Sequence, residues 1–147
     1  MFQRILIAWD GSPVALRAFD VAIDVTRRYD AQLTAISVAY SPAHAETASD
    51  REESADAAHR YLTETFNDVA DRAERAGVQV EHQIVAGETA VRAILDYAHE
   101  HGIDLIVCGH HRSRRAGRLL LPGVAKDLVA HATVPVLVTS DGDAAPS

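Results

Sequence analysis

The chain is short of several things, and each shortage closes off a class of protein. It has one cysteine, Cys108. No intrachain disulfide can form, which fits a cytoplasmic setting. No stretch approaches the roughly 20 uninterrupted apolar residues of a membrane-spanning helix. The opening Met1-Phe2-Gln3-Arg4-Ile5-Leu6-Ile7 has one basic residue and a short apolar run. It lacks the apolar length and small-residue cleavage site of a signal peptide. Positive charge is also scarce, with 14 Lys and Arg against 21 Asp and Glu and a net charge of -7. A field of that sign repels nucleic acid and anionic membrane, so neither is expected as a partner. Any anion site must therefore be local.

What remains is an ordinary globular composition, 48% apolar and 24% charged over 147 residues, enough to bury one core. Arg4–Ala8 is a continuous apolar run, the pattern of a strand covered on both faces. It stops at Asp10-Gly11-Ser12-Pro13. Gly11 permits a tight turn, Ser12 is a good N-cap, and Pro13 suits a first helical position. Val14, Ala18, Ala22 and Val25 then recur at helical spacing. Residues 31–40 read as a second strand and 41–50 as a connection. Residues 52–76 carry a helical stripe of Ala55, Ala58, Leu62, Phe66, Val69 and Ala73, with Gly77 as its stop. Residues 78–85 alternate Val78, Val80, His82 and Ile84 against Gln79, Glu81 and Gln83, as an edge strand does. Residues 90–101 form another helix. Residues 104–108 are a second buried strand closed by Gly109. A loop over 110–122, a helix over 124–131 and a strand over 134–139 follow, then a polar, frayed tail over 141–147.

Strict alternation of strand and helix predicts an open parallel sheet with helices on both faces. Such sheets bind ligands beyond the carboxyl ends of their strands, where strand order reverses. The two most buried strands end at Asp10 and Gly109, so the crevice between them is the predicted working surface.

Three separated stretches carry a family resemblance. Ile5-Leu6-Ile7-Ala8-Trp9-Asp10-Gly11-Ser12, Gly102-Ile103-Asp104-Leu105-Ile106-Val107-Cys108-Gly109, and the run from Val124 through His131 to Val138 occur in the order found in the universal stress protein family. The chain resembles that family over nearly its whole length. The resemblance implies a single domain over 1–140 with the adenine-nucleotide alpha-hydrolase-like fold and sheet order 3-2-1-4-5. It also implies a role in stress survival and a homodimer paired through the last strand, Val134 to Thr139. An apolar strand open at a sheet edge tends to pair with another chain, which agrees.

One branch of the family binds ATP, through Gly, two residues, Gly, nine residues, then Gly followed by Ser or Thr. The resemblance accordingly sets Ala8, Trp9, Asp10, Val38, Gly109, His111, Arg112, Gly123 and Val124 around a nucleotide crevice. Only the first glycine, Gly109, is kept. Arg112 stands at the second and Pro122 at the third, with Gly123 at the hydroxyl position. A one-residue shift puts Val124 at the hydroxyl position instead. Arg112 adds a side chain where backbone N–H groups would approach phosphate, and Pro122 has no N–H to offer. Losing several contacts of roughly 1 kcal/mol or more removes most of a micromolar affinity. ATP binding is therefore expected to be weak or lost, and no cofactor is required. The alternative is an ATP or AMP sensor gripping phosphates through Arg112, Arg114, Arg115 and Arg118, since arginine recognises phosphate well. Against it, charge runs are usually solvated faces.

The remaining candidates leave alternatives open. Asp10 can meet a nucleoside or satisfy turn amides before Ser12. Trp9, where the family has a smaller residue, can stack on a base or fill the crevice. His110-His111 has no further ligand at metal spacing, so no metal is expected. Cys108 reads as a buried hydrophobe. Gly11-Ser12 lacks the surrounding pattern of a nucleophile elbow, and no paired carboxylates stand out, so no enzyme is expected.

Overall fold

The apolar run at the start of the chain is buried on both sides, and the rest of the fold is arranged around it. The computed structural model describes residues 1–40, 48–110 and 123–140. In these residues strands and helices alternate: β1 (Arg4–Ala8), α1 (Pro13–Tyr29), β2 (Gln32–Tyr40), α2 (Ala48–Arg75), β3 (Val80–Gly87), α3 (Ala90–Glu100), β4 (Leu105–His110), α4 (Val124–His131) and β5 (Val136–Ser140). The sheet order is β3-β2-β1-β4-β5, and every pairing is parallel. This is the expected order. The register sets Ile5 against Leu33 on one side and Leu105 on the other.

Side chains alternate across a strand, so β1 feeds two cores. Ile5 and Ile7 pack with Ala15, Ala18, Phe19 and Ala22 of α1 and with Phe66 and Ala73 of α2. Leu6 and Ala8 pack with Ile94 and Ala98 of α3 and with Val124 and Leu128 of α4. The helices thus cover both faces, as the uninterrupted apolar strands require.

Several boundaries differ from the sequence reading, for identifiable reasons. The third strand begins at Val80 instead of Val78. The Val78 amide is used to close α2, donating to Ala73 O at 2.8 Å beside Gly77 N to Glu74 O at 2.9 Å. Gly77 has φ +75°, the left-handed turn expected of a helix stop. α2 starts four residues before Glu52, at Ala48. β4 runs on to His110 because Gly109 and His110 pair with Thr139 and Ser140. β5 starts after Pro135, which has no N–H to give but whose carbonyl accepts from Ile106 N at 3.0 Å. β3 and β5 are the two edges. The tail over 141–147 lies outside the described residues.

Candidate functional site

Strand order reverses at β1, whose neighbours are β2 and β4. The turn leaving β1 is tied down at almost every atom. Trp9 N donates to Ile36 O at 2.8 Å, so the chain follows β2 for one residue beyond the strand. Asp10 Oδ1 accepts from Ser12 N at 2.9 Å, closing an Asx turn. Ser12 Oγ then accepts from Ala15 N at 3.2 Å and caps α1. Gly11 sits at φ +81°, and a Cβ there would lie 3.0 Å from Thr65 Cγ2 of α2. Asp10 is 5% exposed, and its Oδ2 has no hydrogen-bond partner among the described residues. An unsatisfied buried acceptor costs on the order of 1–3 kcal/mol, which a donor from a ligand or a water recovers.

Gly109 is glycine for a reason of packing. A Cβ there would stand 2.8 Å from both Val14 Cγ2 and Val14 O. The first turn of α1 therefore crosses directly over the end of β4, and this contact brings the Asp10 turn and Gly109 together. Ala8, Val38 and Val124 are all buried in one apolar cluster with Cys108 and Leu128. Gly123 is the N-cap of α4, at φ +94° and with no side-chain cap bond. His111 and Arg112 lie outside the described residues, as do Arg114, Arg115, Arg118 and Pro122.

Trp9 is divided between two environments. Its backbone lies in the turn. Its ring, 3% exposed, packs against Phe19 and Phe66 at centroid distances of 5.8 and 6.5 Å. The indole Nε1 donates to Thr65 Oγ1 at 3.2 Å. The ring belongs to the core between α1 and α2, so it neither stacks on a base nor fills the crevice.

Behind the turn lies a polar group that sequence reading missed. Ser37 Oγ donates to Trp9 O at 2.7 Å, and His82 Nε2 lies 2.8 Å from the same Ser37 Oγ. The His82 ring stacks on Phe66 at 4.3 Å. Burial, with a lesser contribution from His59, pushes His82 down to about 4. The inward face of His82 was legible in its alternation with Val80 and Ile84, but its partner lies 45 residues away. The couple is not a nucleophilic dyad, because Ser37 is 1% exposed and its one proton is directed at a carbonyl. Burial also raises the Cys108 thiol to about 11, so it stays protonated. Among the described residues no three His, Cys, Asp or Glu side chains are grouped to hold a metal.

A groove of about 1150 Å³ lies at the other end of the sheet, lined by Thr26, Asp30, Glu74, Gly77 and Glu81 among others. The carboxyl ends of α1 and α2 meet there. Their negative dipole ends and the three acids outweigh the one lining cation, Arg27, so this groove is a poor site for phosphate. The crevice at the carboxyl ends of β1 and β4 instead holds a buried acceptor, Asp10 Oδ2, without a partner among the described residues.

Fold and crevice together define the class, an open parallel α/β domain of the adenine-nucleotide alpha-hydrolase-like type. The family follows from comparison. A model described as the universal stress protein family matches residues 1–140, and the chain belongs to that family. A protein named as a universal stress protein in Staphylococcus haemolyticus (strain JCSC1435) is 32% identical over 138 residues, covering 93% of this chain and 84% of the relative. The solved universal stress protein UspA from Lactobacillus plantarum is similar at TM-score 0.81 and 27% identity, over 94% of this chain and 97% of that one. A universal stress protein solved in complex with cAMP is similar at TM-score 0.72 and 26% identity, over 94% and 97% of the two chains. Among the described residues no helix is long and apolar enough to cross a membrane.

Proposed function

We propose that this universal stress protein is a regulatory, non-enzymatic homodimer of the cytoplasm whose crevice is a degenerate adenine-nucleotide site with a weak or lost grip on ATP. One observation carries the reading. Gly123, at the position where the ATP-binding branch has Ser or Thr, is the left-handed N-cap of α4 at φ +94°. Side chains rarely adopt that conformation, so the backbone itself disfavours a hydroxyl residue there. In the shifted register the position falls on Val124, which is buried and apolar. In either register the motif position offers no hydroxyl to a phosphate or its metal. Gly109 adds to this, since its missing side chain is already required by Val14.

The test is thermal unfolding with millimolar ATP and magnesium. The expected shift is under about 1 °C, whereas binding at 100 times Kd would add about 2.7 kcal/mol and move the midpoint by several degrees. Such a shift would overturn the reading.

A second reading, an ATP or AMP sensor gripping phosphate through loop arginines, is favoured by Asp10 Oδ2, which has no partner among the described residues and can accept from a nucleoside N–H or O–H. The solved relative in complex with cAMP is consistent with it. In that case AMP and ATP shift the midpoint, and Arg112→Ala or Arg115→Ala reduces the shift. The dimer is supported by the open edge of β5, where Val138 is 41% exposed. Light scattering is expected to give two chains for the protein and one for Val138→Lys.

A further inference from the structure

The turn that presents Asp10 is held from beneath by a relay that reaches it from two strands, β2 and β3. Ser37 has a single hydroxyl proton, and the Trp9 carbonyl takes it at 2.7 Å. His82 Nε2, 2.8 Å from the Ser37 oxygen, must then be the donor to that oxygen. This fixes the imidazole tautomer. With the other tautomer, the hydroxyl proton would be divided between Trp9 O and His82 Nε2. The His82 ring is kept in place by its stack on Phe66. The carbonyl at the far end of the relay belongs to the peptide that joins Trp9 to Asp10. Its plane sets where the Asp10 side chain leaves the backbone, and so where Oδ2, without a partner among the described residues, points.

We infer that Ser37 is a positioning residue for the crevice carboxylate Asp10, and that His82, from the edge strand β3, sets the direction of the Ser37 hydroxyl. The inference rests on the reading of the crevice as a degenerate nucleotide site only in taking Asp10 as its polar end. Thr65 holds the other side of the same residue through the Trp9 indole. That second bond anchors the Trp9 ring. The Ser37 bond anchors its carbonyl, and only the latter is part of the Asp10 peptide.

The test is amide hydrogen exchange of the full chain by NMR, without nucleotide. The Ser12 amide reports the Asp10 Oδ1 bond directly. Ser37→Ala is expected to speed its exchange about fivefold or more, the effect of losing one hydrogen bond of typical strength. His82→Leu is expected to speed it by a smaller factor. His82→Gln, which keeps a donor of similar reach, is expected to restore it. The amides of Leu6 and Ile106, in the centre of the sheet, stay within about twofold, as a local change requires. An unchanged Ser12 amide in Ser37→Ala would overturn the inference. So would an equal rise at Ser12, Leu6 and Ile106, which would mark Ser37 as a general stability residue. No nucleotide enters the measurement, so either result leaves the nucleotide reading to be decided separately.

Discussion

The two walls of the crevice are built to different standards. On the β1 side, Trp9, Asp10, Gly11 and Ser12 are fixed by main-chain bonds, an Asx turn, a helix cap and close contact with α2. On the α4 side, among the described residues, Gly123 has nothing within 4 Å of its Cβ position and makes no side-chain cap. The contrast extends to the glycines. Gly109 has no room for a methyl group, whereas Gly123 meets no described residue there but has a left-handed backbone. A glycine kept by packing survives a change of ligand, because the sheet still needs it. A glycine whose surroundings are open is free to follow the chemistry of the site.

The largest test of that contrast is Gly109→Ala. Its Cβ would press on the Val14 carbonyl, which cannot swing away like a side chain, so a loss of roughly 2–3 kcal/mol is expected. Urea unfolding measures it, and a loss below about 1 kcal/mol would show that α1 can lift off β4 cheaply. Beneath the ordered wall, acid gives a smaller effect. His82 titrates near 4 in the folded chain against an ordinary 6.5. Between those values the unfolded chain binds more protons, so this stability is complete above about pH 6.5 and is lost as the pH falls toward 4. The ring is half-buried, so solvent screening reduces the contribution to about 1 kcal/mol. It is read as the difference between the protein and His82→Gln, whose urea midpoint is expected to depend less on pH in that window. Parallel curves would remove His82 from the account. The smallest effect is expected on the open wall. Gly123→Ser should cost about 1 kcal/mol for its left-handed backbone and should not restore a response to ATP. Restoration would mean that the hydroxyl alone had been missing.

Much of the fold was legible residue by residue. Uninterrupted apolar strands at Ile5–Ala8 and Leu105–Cys108 demanded two covered faces, and helix periodicity between strands demanded parallel crossovers. Alternation around His82 marked an edge, and β3 is one. Boundaries were less legible where one amide had two claims on it. Val78 fits a strand by pattern, yet its N–H closes α2. The meeting of the Asp10 turn with Gly109 was legible, because both close buried strands, whereas the contact with Val14 that joins them was not. The direction of Trp9 was not, because either face of a strand end can receive a ring. That choice was made by Phe19, Phe66 and Thr65, which arrive from two helices.

By itself the sequence determined the elements, their order and the N-cap at Ser12, since each depends on neighbours within a turn or a strand. Only the tertiary structure decided why Gly109 must be glycine, where the Trp9 ring goes, and that Ser37 and His82 stand behind Asp10. The last of these joins residues 28 and 45 positions apart along the chain. Such pairs leave no local pattern, because sheet register and helix packing, not spacing along the chain, bring them into contact.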